Sequence, residues 1–137
     1  SYPIDIQGEQ YEISALSMGN PHAVVQVKDI KNTDVKGIGA RLESHPRFTN
    51  KTNVGFMQVD NRQKISLRVF ERGVGETLSC GTGACAAAAS GIQKKILDTP
   101  VLVSMRGGAL SVDWAGEGEA LRMTGPAVKV FSGHIKI

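Results

Sequence analysis

Apolar and polar residues alternate through most of this chain, and strict alternation marks a strand with one face turned to a core. YPIDIQ (2–7) and QYEIS (10–14) show it on either side of Gly8-Glu9, which predicts an N-terminal hairpin turning there. AVVQVKD from Ala23 reads as a further strand. NVGFMQVD from Asn53 and KISLRVFE from Lys64 form a second hairpin around Asn61-Arg62, with Ile65, Leu67 and Val69 on one face and Ser66, Arg68 and Phe70 on the other. PVLVSM, ALSVDWA, ALRMTG and AVKVFS then follow at short spacing. The turns between them, Arg106-Gly107-Gly108, Gly116-Glu117-Gly118 and Gly125-Pro126, predict mostly antiparallel pairing.

Two segments change the period. From Asp34 to His45, Val35, Ile38 and Leu42 recur at helical intervals, though Gly37 and Gly39 weaken the helix. Gly81 to Lys95 is the stronger helix, rich in alanine, with Lys94 and Lys95 at the end where the helix dipole favours cations. So little charge around its circumference predicts a helix enclosed by strands. The expected fold class is α+β, a curved, mostly antiparallel sheet or barrel around a central α-helix, in one unit spanning 1–137.

Composition narrows the function. A chain of 137 residues can bury a core as one domain. Its net charge of +3 comes from scattered basic residues, and only 5% of residues are aromatic, which argues against nucleic acid as a partner. No apolar run reaches the roughly 20 residues that span a bilayer, so no membrane is expected and the chain reads as soluble and cytoplasmic. Cys80 and Cys85 are turned roughly 140° apart on a helix, which disfavours a disulfide, and no Cys or His pair has zinc spacing. A cysteine with a chemical role here acts as a thiol, without metal.

Cys80 stands at the mouth of the alanine-rich helix, in ERGVGETLSCGTGACAAAAS (71–90). The first amides of a helix lack intrahelical partners and carry partial positive charge. Gly81 and Gly83 leave them uncovered for a carboxylate or phosphate, and the same field favours a thiolate at Cys80. A small buried packing residue is the ordinary role of cysteine, and Cys85, inside the alanine run, fits it. Cys80 does not, because flanking glycines and the nearby Glu71-Arg72 pair serve no packing purpose. Arg72 can grip a carboxylate with its fork and Glu71 can accept from an ammonium, although such a pair is by default solvated surface. Asn20 and His22, around Pro21, and Asn53, at a strand entrance, read alone as turn and loop residues.

In their order, SMGNPHAVVQV, LESHPRFTNKTNVGFMQV, RVFERGVGETLSCGTGACAAAASGIQ and MTGPAVKVFSGHI closely resemble the C-terminal half of the diaminopimelate epimerase family. The likeness runs from about Ser17 onward, and residues 1–16 match only loosely. The resemblance implies a fold of two pseudo-symmetric lobes, each a sheet wrapped around a helix. It implies interconversion of LL- and meso-diaminopimelate, on the path to lysine and peptidoglycan precursors, by two cysteines and without pyridoxal phosphate, metal or other cofactor. By the same resemblance Cys80 is this lobe's acid/base, with His22 and Glu71 tuning the thiols. Arg72, Asn20 and Asn53, together with Glu71, read the unreacting end of the substrate, and the amides of Gly81 and Thr82 hold the reacting carboxylate. The family's first half, with its own cysteine, has no counterpart in the chain, so the chain alone is expected to be inactive. Its last strand, about 127–137, is expected to belong structurally to that N-terminal lobe, and strand edges left open would pair with a second copy in a homodimer.

Other readings stay open. They are a non-catalytic anion-binding or amino-acid-binding module, a related racemase independent of pyridoxal phosphate, and a cysteine acyl-transfer enzyme with His22 as base, which lacks a clear third group to orient the histidine.

Overall fold

A computed structural model of the chain describes residues 1–136. Two hydrophobic clusters organise it, one on each face of a single mixed sheet. The strands are β1 (Tyr2–Ile6), β2 (Glu9–Ser17), β3 (Pro21–Gln26), β4 (Asn53–Asn61), β5 (Lys64–Glu71), β6 (Gly75–Thr77), β7 (Val101–Met105), β8 (Gly108–Asp113) and β9 (Arg122–Thr124). Helix α1 (Val35–Glu43) lies between β3 and β4, and α2 (Gly81–Gln93) between β6 and β7. The order across the sheet is β1-β2-β3-β4-β5-β7-β8-β9, with β6 also on β5. β5 therefore forks: Lys64–Ser66 pair with β7, and Val69–Glu71 pair with β6.

Alternation along β5 explains the two clusters. Ile65, Leu67 and Val69 point toward α2, together with Val101, Val103 and Val112, whereas Phe70 joins Val54, Phe56, Val35 and Leu42 on the α1 side. Helix α2 touches β2, β3, β4, β5, β7 and β8, and Gly83 to Gly91 are all buried. Only residues as small as these let strands close in so tightly. A side chain at Gly91 would collide with Leu97. The expected enclosed central helix is present, but the sheet is not closed into a barrel.

The sequence pattern is corrected in three places. The first turn is Gln7-Gly8, not Gly8-Glu9: both residues have positive φ, 55° and 87°, and Ile6 pairs with Glu9. Two left-handed residues match the twist of the strands they join. The second hairpin turns at Arg62-Gln63, with a register shift between Val59 and Asn61. The pairing is mostly antiparallel, as expected; β3 with β4 and β5 with β7 are parallel, because each is joined through a helix that returns the chain to the same end of the sheet. Finally, AVKVFS is not a strand. Residues 125–136 have no regular secondary structure, and Val128, Val130, Phe131 and Ile135 are exposed, Val130 to 89%. Among the described residues no helix is long and apolar enough to cross a membrane.

Candidate functional site

The parallel pairing of β3 with β4 puts His22 directly opposite Asn53, at the starts of both strands. The neighbouring antiparallel strand β5 ends at that edge with Glu71, and α2 begins beside it. Cys80, the N-cap of α2, has extended φ and ψ of −145° and 109°, and its Sγ accepts from the Gly83 amide at 3.4 Å. A Cβ at Gly83 would lie 3.2 Å from that sulfur and 3.0 Å from Val69 Cγ2. Glycine at this position thus lets the amide and the sulfur meet.

Helix geometry then decides which amides remain for a ligand. The Ala84 amide bonds the Cys80 carbonyl, and Gly83 serves the sulfur, while the amides of Gly81 and Thr82 have no acceptor among the described residues. Thr82 is exposed and Gly81 half-buried, so both are reachable. Cys80 itself is 8% exposed. Cys85 lies one turn deeper, where burial, and then the nearby charge of Cys80, push its thiol upward, as suits a packing residue.

A polar chain runs from the helix to the strand edge. Asn20 Nδ2 is 3.4 Å from Thr82 Oγ1, which is 3.7 Å from Cys80 Sγ. Asn20 Oδ1 lies 3.1 Å from His22 Nε2, and because that oxygen only accepts, the contact assigns the proton of the neutral ring to Nε2. Burial holds the His22 ring below its ordinary value, with the negative charge of Glu71 opposing.

The sequence reading missed two supports. Thr77 Oγ1 donates to Glu71 Oε1 at 2.6 Å across the β5–β6 hairpin, and the Glu43 carboxylate accepts from the Gly73 amide at 2.7 Å. Both residues stand inside the quoted motifs, where neither spacing nor composition marks them as hydrogen-bond partners. Asn53 is anchored to backbone. Its Nδ2 donates to the Pro21 carbonyl at 2.9 Å and its Oδ1 accepts from the Arg72 amide at 3.0 Å, so both ends of its amide face have backbone partners. Arg72 is exposed, with Nη1 on the Asn50 carbonyl at 3.1 Å, beside a cavity of about 360 Å³ lined in part by Asn20, Arg47 and Lys51. A larger groove, about 450 Å³, lies elsewhere, by Arg68 and Arg106, and is lined by none of Asn20, His22, Asn53, Glu71, Arg72 and Cys80. Among the described residues no three His, Cys, Asp or Glu side chains gather as metal ligands.

What the arrangement can do follows from its parts. It offers two outward amides and an adjacent sulfur at one helix end, with a buried neutral histidine, a carboxylate and an arginine around it. Those groups can hold an anion and move a proton next to it.

The family described as diaminopimelate epimerase matches residues 14–130. The diaminopimelate epimerase of Pseudomonas syringae pv. syringae is 50% identical over 136 residues, which are 99% of this chain and 49% of that protein. That of Pseudomonas fluorescens is 50% identical over 137 residues, all of this chain and 50% of the relative. The chain spans about half the length of the curated relatives it matches. Among solved structures, a phenazine biosynthesis protein of the PhzF family from Bacillus anthracis aligns with a TM-score of 0.57 at 17% identity, over 82% of this chain and 38% of its own. A predicted epimerase from Pseudomonas aeruginosa aligns with a TM-score of 0.54 at 13% identity, over 81% and 39%. At such identities these two structures speak to the fold alone.

Proposed function

The chain belongs to the diaminopimelate epimerase family, and on that premise we propose that it is one lobe of a cofactor-independent epimerase that interconverts LL- and meso-diaminopimelate. The observation that carries this reading is the sulfur of Cys80 at the mouth of α2, beside two unengaged amides.

The α-hydrogen of an amino acid is a weak acid, and removing it drives the C–H electron pair into the carboxylate. Fixed donors aimed at that carboxylate stabilise the developing charge; losing one such donor costs about a hundredfold to a thousandfold in rate. The amides of Gly81 and Thr82 supply them. Cys80, as thiolate, takes the proton, and a thiol on the opposite face of the carbanion returns one to leave the centre inverted. In the reverse direction Cys80 is the thiol that donates. His22 and Glu71 orient and tune the sulfurs. Arg72, with Glu71 and Asn20, grips the unreacting end of the substrate, and Asn53 acts there through the Arg72 amide it holds.

The opposing thiol has to come from a second lobe. Relatives twice as long are consistent with that, and so is a stretch, 125–136, whose apolar side chains find no cover here. We assign residues from about 127 onward to packing on that second lobe. A cytoplasmic location, where thiols stay reduced, and service to lysine and peptidoglycan precursors belong to the same reading.

Mixing this chain with the first half of the Pseudomonas syringae relative, in deuterated water with diaminopimelate, tests it. Deuterium should enter the α-position only when both halves are present, and Cys80→Ala should abolish it. Exchange by this chain alone, or none from the pair with both thiols reduced, overturns the proposal.

A further inference from the structure

Helix α1 takes no part in the chemistry described so far, yet it carries two features on one face. Gly39 and Glu43 are four residues apart, so they project from the same side of the helix. A Cβ at Gly39 would lie 2.7 Å from Phe70 Cβ, closer than two carbons approach, so glycine there brings the helix down onto the end of β5. One turn later Glu43, 9% exposed, reaches past β5 and accepts from the Gly73 amide at 2.7 Å, with Lys51 Nζ 3.7 Å from the same oxygen. The amide just before it, of Arg72, is held by Asn53 Oδ1. Two successive amides of the turn after β5 are thus fastened by side chains from two other elements. Gly73 sits at a φ of 75°, a left-handed conformation that an unfastened turn would share with many others.

We propose that Glu43 is a positioning residue: by latching the Gly73 amide from a helix docked through Gly39, it fixes the turn from which Arg72 grips the substrate's unreacting carboxylate. This rests on the proposed role of Arg72. A buried carboxylate that accepts a backbone amide is otherwise an expensive choice at the end of a helix, where cations are the favoured charge. An acceptor needed at that point, for that amide, accounts for it.

The latch and its consequence are read separately. Amide hydrogen exchange on the 137-residue chain should show Gly73 protected, its protection lost in Glu43→Ala and largely retained in Glu43→Gln, which keeps an acceptor oxygen. Protection elsewhere in α1 and β5 should remain in both. For function, the chain is joined to the first half of the Pseudomonas syringae relative. There Glu43→Ala should raise KM for diaminopimelate about tenfold, with kcat within about twofold, and Glu43→Gln should restore most of the affinity. Unchanged Gly73 exchange in Glu43→Ala overturns the proposal. So does a loss of that protection with KM unaltered, or a fall in kcat with global loss of protection in both variants, which is a merely structural role. An inactive wild-type fusion counts instead against the epimerase reading, and the exchange measurement then decides the latch by itself.

Discussion

His22 is 1% exposed, and burial holds its ring below the ordinary 6.5 against the pull of Glu71. Between that depressed value and about 6.5 the unfolded chain binds a proton that the folded chain does not, so stability rises with pH across this window. Denaturant midpoints should therefore be lower at about pH 5.5 than at about pH 7.5, and His22→Gln should shrink the difference. Glu76 acts in the same direction at lower pH. Its hydrogen bonds to Arg68, at 2.7 and 3.1 Å, hold its carboxyl down against burial, so it contributes stability above about 4.5 that is lost as acid protonates it. With its side chain only 4% exposed, Glu76→Gln strands the Arg68 charge and should cost about 3 kcal/mol, read by urea unfolding. Thr77→Val removes the donor that fixes Glu71, and epimerase turnover of the joined halves should fall about tenfold while the fold persists. At this scale an unusual residue stands out in the sequence, as Cys80 does between glycines and a charged pair. The sequence says little about which polar side chains face inward: Asn53 is buried with both ends of its amide on backbone, and Glu43 with its carboxylate on the Gly73 amide.

Elements were legible wherever their period was long enough. Both helices begin close to where their patterns do, α1 capped by Asp34, whose Oδ1 accepts from the Gly37 amide, and α2 by Cys80. Gly37 and Gly39, which weaken α1 by propensity, proved to be packing devices, since a side chain at Gly37 would strike the Asp34 cap and one at Gly39 would strike Phe70. Gly39→Ala should accordingly destabilise the chain by about 1–3 kcal/mol, although alanine is the better helix former, and a thermal melt tells the two effects apart in sign. Strand β6 escaped notice because three residues, the first a glycine, carry no period; only its pairing with Val69–Glu71 makes it a strand. The tail failed in the opposite way. AVKVFS has the alternation of a strand, but alternation states which face wants cover and cannot supply the neighbouring edge.

For the whole molecule, the sheet is mostly antiparallel, as the turn spacing suggested, and the two crossovers through α1 and α2 add its parallel pairs and gather Asn20, His22, Asn53, Glu71 and Cys80 on one edge. Removing residues 127–137 should leave the stability of the isolated chain nearly unchanged, within about 0.5 kcal/mol, because residues 127–136 are all exposed. The same truncation should abolish exchange when the first half is added. That bare tail also offers a gauge of assembly that needs no substrate. Phe131, 83% exposed in an irregular segment, is an easy cleavage point for chymotrypsin, and a companion protein seated over it would shield the bond. The clipping rate, plotted against the amount of companion added, would give the dissociation constant of the pair.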